Sequence, residues 1–235
     1  IWPEMAVTLY LRRDAAARKV LAKVVPEKGL LITGAPRRGA RLAGSFNSVL
    51  AMNASGEIID YYDKAHLVPF GEYVPLASML PIKKITQGAL GYLPGAGVRT
   101  MRLPGLPPVS FLVCYEIIFP GEVIDPLDRP SAIFNLTNDA WYGVSVGPHQ
   151  HFANARVRAV EEGMPVLRAA YTGISGAFDP NGRVLGVIPL NERGFLDIKL
   201  PKPLSEPTFY GEWRDLLFFC LLIGFAGISA FFSRC

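Results

Sequence analysis

Cys114 closes an apolar run in "SFLVCYEIIFP", residues Ser110 to Pro120. A cysteine in that position is either a small core hydrophobe or a nucleophile held at the end of a strand. Nucleophilic cysteine chemistry requires a thiolate, a base to generate it, and positive charge to steady the anion that forms on attack. Two other segments offer those parts. Glu4 follows "IWP" at a strand end, where a side chain can point into a cleft. Lys64, in "YYDKAHLVPFGEYVP", follows a strand and precedes a loop rich in Pro and Gly. Taken singly each has a plain structural reading, since strand-end glutamates are commonly solvated and lone buried cysteines commonly belong to cores. Spacing by itself does not bring the three together.

The elements that would position them read as one α/β unit. The 235 residues suffice for one large domain or two small ones with a substantial core. "DAAARKVLAKVV", Asp14 to Val25, has helical spacing and alanine-rich propensity. "LLITGAP" reads as a short buried strand, and "SFNSVLAMNASGEIIDYYDK" as two strands around the turn Asn53-Ala54-Ser55-Gly56. "SFLVC" and "AIFNLTN" are continuous apolar strands of the doubly covered kind. "GPHQHFANARVRAVEEGMP" predicts a helix that Gly163 and Pro165 end, and "GISGAFDPNGRVLGVIPL" a hairpin turned at Asp179-Pro180-Asn181-Gly182. Strands mixed with helices predict a layered α/β sandwich.

Two stretches stand outside that pattern. "LLFFCLLIGFAGISAFF", Leu216 to Phe232, carries no charge, with Trp213 just before it and Arg214 and Arg234 on either side. It predicts a single C-terminal transmembrane helix, so that residues 1–212 form the globular domain and 213–235 the anchor and tail. The flanking arginines balance, so they assign no orientation. From Pro75 to Val98 the chain is apolar but broken by Pro and Gly, with Lys83 and Lys84 in the middle. That composition suits a membrane-facing lid or an ordinary loop packed on itself.

Composition excludes some functions. Half the residues are hydrophobic, 19% are charged, and the net charge of +4 is spread along the chain, which leaves no basic footprint for nucleic acid. The three cysteines, Cys114, Cys220 and the terminal Cys235, do not form a disulfide framework. His149 and His151 lie two apart and cannot share a helix face, so no metal site is expected and no cofactor is called for. The opening "IWPE", which reads like the end of a strand, suggests a piece of a longer protein.

"WPE", "YDKAHL" and "VCYEIIFP" resemble, in that order, the three motifs of the nitrilase or carbon-nitrogen hydrolase superfamily, whose catalytic set is Glu, Lys and Cys. The resemblance covers residues 1 to about 200. It implies a nitrilase-like α-β-β-α four-layer sandwich with Glu4, Lys64 and Cys114 as the catalytic residues. Within the superfamily, "KAHLVPFGEYVPL", "NLTNDAWYG" and "LRAAYTGISGAFDPNGRV" are most similar to the bacterial apolipoprotein N-acyltransferase family, as is the apolar C-terminal run. That family joins a helical membrane bundle to a nitrilase-like domain on the periplasmic face of the inner membrane. The resemblance implies transfer of a fatty acyl chain from a phospholipid donor, through a thioester, to the α-amine of a diacylglyceryl-modified apolipoprotein acceptor.

On that basis Glu4 is the expected general base, Cys114 the nucleophile, and Lys64 with the backbone N–H after Cys114 the oxyanion stabilisers. Glu72 resembles a supporting position that orients Lys64 or Glu4. Glu116 is expected to hold a loop by hydrogen bonds or position the lysine, and Tyr115 to support the site or simply pack. Trp141 and Tyr142, after a strand end, are candidates for lining an acyl entrance or for the core. His66 is read as a structural hydrogen bonder, and Asp139 as a brace for the loop after "NLTN" with no chemistry assigned. The alternatives are a membrane-anchored amidase or nitrilase that passes the acyl group to water, and a catalytically dead interaction module. The intact Glu4, Lys64 and Cys114 argue against the last.

Overall fold

The computed structural model describes residues 1–39, 44–75 and 91–232. Asp14 starts the first helix, its side chain accepting from the Ala17 N–H at 2.8 Å, and α1 runs over Ala15–Ala22. Strands β1 (Leu30–Arg38), β2 (Ser45–Asn53) and β3 (Ile58–Asp63) pair antiparallel in sequence order. Asn53 builds the β2–β3 turn: its Oδ1 accepts from the N–H groups of Ser55 and Glu57, each at 3.0 Å.

A second, six-stranded sheet holds β4 (Thr100–Met101), β5 (Val109–Val113), β6 (Ala132–Asn138), β7 (Val166–Tyr171), β8 (Ser175–Phe178) and β9 (Val184–Ile188), again in sequence order. β5, β6 and β7 are parallel and the other pairings antiparallel. The long helix α2, Gly147–Glu162, supplies the crossover between β6 and β7 and ends at left-handed Gly163.

Alternation along these strands produces the layers. Val109, Phe111 and Val113 of β5 join Phe134 and Leu136 of β6 in the core between the sheets, facing Ile32, Val49, Ala51 and Tyr62 of the first sheet. Leu112 and Ile133, one residue out of phase, pack instead with Ala155 and Ala159 of α2. On the far side Ala17 and Leu21 of α1 pack with Leu11, Ala35 and Leu50. The order is therefore helix, sheet, sheet, helix, and β5, buried throughout, is covered on both faces.

The chain then returns to α2. Thr208 Oγ1 donates to the Glu161 carbonyl, the short helix α3 (Phe209–Trp213) follows, and Arg214 pairs with the buried Glu162 carboxylate. Helix α4, Leu216–Phe232, begins two residues later and is exposed along its length, with Phe225 68% and Phe231 66% accessible. The apolar helix predicted from sequence is thus present, over 17 residues or about 25 Å. Among the described residues, no helix is long and apolar enough to cross a membrane. Most of the proposed lid, residues 76–90 with its lysine pair, lies outside the described residues, as does Cys235.

Candidate active site

Glu4 is delivered by the N-terminal segment, which runs along β1. Trp2 donates its N–H to Ile32 O at 2.8 Å, Gly34 donates to Pro3 O at 3.1 Å, and Val7 donates to Gly34 O at 3.1 Å. Gly34 makes this approach possible, because a Cβ there would fall well inside contact with the Pro3–Met5 backbone. The Glu4 side chain is buried, and its Oε1 accepts from Asn47 Nδ2 at 2.7 Å. Its Oε2 has no well-formed hydrogen bond among the described residues, and the Cys114 thiol is the neighbouring proton donor that interacts with this carboxylate.

Lys64 follows the last residue of β3. Its N–H donates to Asn47 O at 2.8 Å and its carbonyl accepts from Gly95 N at 2.7 Å, so its backbone is held on both sides. The ammonium is 1% exposed and lies 2.8 Å from Glu72 Oε2. That same oxygen accepts from Val68 N at 2.8 Å, and Asn47 Nδ2 lies 3.4 Å from the other. Glu72 therefore orients the lysine directly and is tied to Glu4 through Asn47. A buried ammonium loses hydration, which presses its pKa down, but Glu4, Cys114 and Glu72 outweigh that loss and hold it above the ordinary lysine value.

Cys114 stands immediately after β5 with φ at 53°, a left-handed conformation that a non-glycine residue adopts only under constraint. Glu116 supplies part of it. Its Oε1 accepts from Tyr62 OH (2.7 Å), Ala65 N (2.8 Å) and His66 N (3.1 Å), and its Oε2 from Val113 N (2.7 Å). One buried carboxylate thus ties the residues flanking Lys64 to the residue preceding Cys114. These four bonds join the segment after β3 to the end of β5.

The electrostatics of the trio favour a neutral thiol at rest. Burial pushes the Cys114 pKa up, the Glu4 charge adds to this, and Lys64 opposes it. Burial also raises Glu4 above the ordinary carboxylate value, with Glu72 adding, while Lys64 and the Asn47 hydrogen bond pull the other way. The raised carboxylate is a stronger proton acceptor than an ordinary one, and the raised thiol keeps its proton until an electrophile arrives.

The remaining candidates divide. Tyr115 packs edge-on against Phe119 at 4.9 Å, and His66 stacks on Phe119 at 4.2 Å while facing Glu122 at 3.3 Å. Trp141 is 71% exposed in the 3-10 turn Ala140–Tyr142, and Tyr142 meets His151 edge-on at 5.9 Å. Three participants escaped sequence reasoning: Asn47, His151 and Arg168. Asp139, read as a brace, is buried between the last two, 2.8 Å from His151 Nδ1 and 2.6 Å from Arg168 Nη2. His151 Nε2 in turn lies 3.1 Å from the Cys114 carbonyl. Among the described residues no three His, Cys, Asp or Glu side chains gather into a metal site.

Residues 1–208 match the family model described as carbon-nitrogen hydrolase. The chain belongs to the carbon-nitrogen hydrolase family. Its curated relatives include proteins named apolipoprotein N-acyltransferase from Rhodopseudomonas palustris (41% identical over 224 residues, 92% of this chain and 42% of that protein) and Rhizobium rhizogenes (39% over 241 residues, 100% and 45%). One of the same name from Rickettsia prowazekii is 37% identical over 222 residues, 92% and 44%. The chain therefore spans less than half the length of these relatives. Among solved structures, a carbon-nitrogen hydrolase from Helicobacter pylori superposes with a TM-score of 0.58 at 15% identity, covering 78% of this chain and 66% of that one. An amidase from Nesterenkonia sp. gives 0.55 at 19%, covering 81% and 75%. These likenesses support the nitrilase-like α/β fold assembled above.

Proposed function

We propose that the chain is the catalytic part of an apolipoprotein N-acyltransferase, with residues 1–212 as the domain and 213–235 as a membrane-inserted tail. In this reading Glu4 takes the Cys114 thiol proton as the sulfur attacks the ester carbonyl of a phospholipid. Lys64 and the Tyr115 N–H hold the oxyanion. Collapse of the tetrahedral species breaks the ester C–O bond, and the departing lysophospholipid alkoxide takes the proton from Glu4. A neutral α-amine of the diacylglyceryl-cysteine then attacks the thioester and gives its proton to Glu4. Breaking the C–S bond returns that proton to sulfur. Glu72 and Glu116 support Lys64 and the Cys114 backbone, and Trp141 and Tyr142 flank the acyl entrance.

The observation that carries the lipid reading is α4: an uncovered, uncharged helix that begins directly after the domain's last anchor, Arg214 on Glu162. Water does not stabilise so large an apolar surface, and lipid does. The relatives' name, apolipoprotein N-acyltransferase, supports the same reading, in which the domain lies on the extracytoplasmic face of a bacterial inner membrane. The test is acyl transfer by the full-length protein from a phospholipid with a deuterated chain to a peptide bearing an N-terminal diacylglyceryl-cysteine. The expected product gains one deuterated acyl group on its α-amine. Release of the chain only as free fatty acid would favour a hydrolase instead.

A further inference from the structure

The Asp139–His151–Arg168 cluster has no part in the chemistry just described, yet it is the most deeply buried charged group in the molecule's second sheet. Arg168 and Asp139 are fully inaccessible and His151 is 2% exposed. Arg168, in the middle of β7, is held by Asn135 Oδ1 (2.7 Å), Thr137 Oγ1 (3.1 Å) and Ile174 O (3.1 Å) as well as by Asp139. Gly173 leaves room for the carboxylate, since a Cβ there would strike Asp139. Burying two charges and an imidazole at this depth costs solvation that an apolar core would not incur, and the cluster ends on one atom: the carbonyl oxygen of Cys114.

That oxygen can only accept, so His151 Nε2 carries a hydrogen and donates to it. With Nε2 donating to the carbonyl, the 2.8 Å contact to Asp139 Oδ1 requires Nδ1 to donate as well, and Arg168 Nη2 lies 3.3 Å from Nδ1. A peptide unit is planar and trans, so its carbonyl and the next N–H point in opposite directions. Fixing the Cys114 carbonyl toward α2 therefore fixes the Tyr115 N–H the other way. The left-handed φ of Cys114 is a conformation the backbone would otherwise relax.

We infer that His151, braced by Asp139 and Arg168, is a positioning residue that aims the Tyr115 N–H at the oxyanion by holding the Cys114–Tyr115 peptide plane. The inference rests on the thioester chemistry proposed above. It predicts an effect on acyl transfer and none on the intrinsic reactivity of the sulfur.

Two variants separate these properties while keeping Asp139 partnered. In His151→Asn the amide nitrogen takes the place of Nδ1 and cannot reach the Cys114 carbonyl; in His151→Gln it takes the place of Nε2 and can. The full-length protein would be followed for single-turnover thioester formation from phospholipid and, separately, for alkylation by iodoacetamide, a displacement that develops no oxyanion. The expected result is thioester formation slowed about 100-fold in His151→Asn, the range for loss of an oxyanion-hole donor, and within about tenfold of wild type in His151→Gln. Alkylation rates should agree within about threefold in all three proteins. Equal thioester rates in the two variants, or alkylation falling in step with acylation, would overturn the inference. If the wild-type protein forms no thioester from phospholipid, the proposed function fails instead. The Asn and Gln variants are then compared on hydrolysis of a small amide, whose tetrahedral intermediate needs the same donor, and the same ordering is expected there.

Discussion

Glu4 is the residue at which stability and chemistry conflict. Its pKa in the folded chain stands above the ordinary value of 4.5, chiefly because it is buried, even with Lys64 nearby. Between the unfolded and folded values the native state therefore binds more protons, so stability falls as pH rises through that window and the loss is complete above it. Glu4→Gln keeps the Asn47 hydrogen bond and removes the buried charge. It should raise the Tm at pH 7 to 8 by about 2–4 °C, the shift that about 1 kcal/mol gives a chain of this length, and abolish acyl transfer. The Tm gain should vanish below pH 4.5, and thermal unfolding followed by circular dichroism at both pH values checks this. If Glu4 is the base as proposed, the same shift should place the acid limb of kcat/KM above pH 4.5, because the carboxylate has to be ionised to accept the thiol proton.

The elements meet at Glu116, which ties the end of β3 to the end of β5 through four donors. Glu116→Ala leaves a hydroxyl and three backbone N–H groups without their acceptor. At about 1–3 kcal/mol for each buried unpaired donor that water fails to reach, a loss of about 3 kcal/mol or more is expected. It is measurable as a drop in the urea midpoint, and a midpoint unchanged from wild type would remove Glu116 as the clamp. The apolar runs made most of this framework legible: β5 and β6 are continuous hydrophobic segments and α2 is a periodic one ended by Gly163, while Cys114, read as the last residue of its strand, stands one residue beyond it. β7 was missed because Arg168 interrupts "VLRAAY", and an arginine inside a strand signals nothing about interior placement until its partners Asp139 and Asn135 are seen. Asn47 was hidden for the same reason. Its neighbours in sequence are ordinary strand residues, and its role lies in joining Glu4 and Glu72 across distant segments.

At the scale of the molecule, an α-β-β-α domain carries a bare apolar helix fastened beside α2. Cys220 lies on that helix and is exposed. If α4 enters lipid, a membrane-impermeant maleimide should label Cys220 far more slowly in intact phospholipid vesicles than after the lipid is removed and the protein unfolded; equal labelling would place α4 outside the bilayer. The central claim, that Cys114 carries the acyl group, is tested most directly by intact-mass spectrometry of the full-length protein after incubation with phospholipid and no acceptor. The account predicts one fatty-acyl mass increment that hydroxylamine removes and that Cys114→Ala lacks while remaining folded. A folded, membrane-bound wild-type protein that gains no such adduct, or a Cys114→Ala variant that still gains it, would contradict the account.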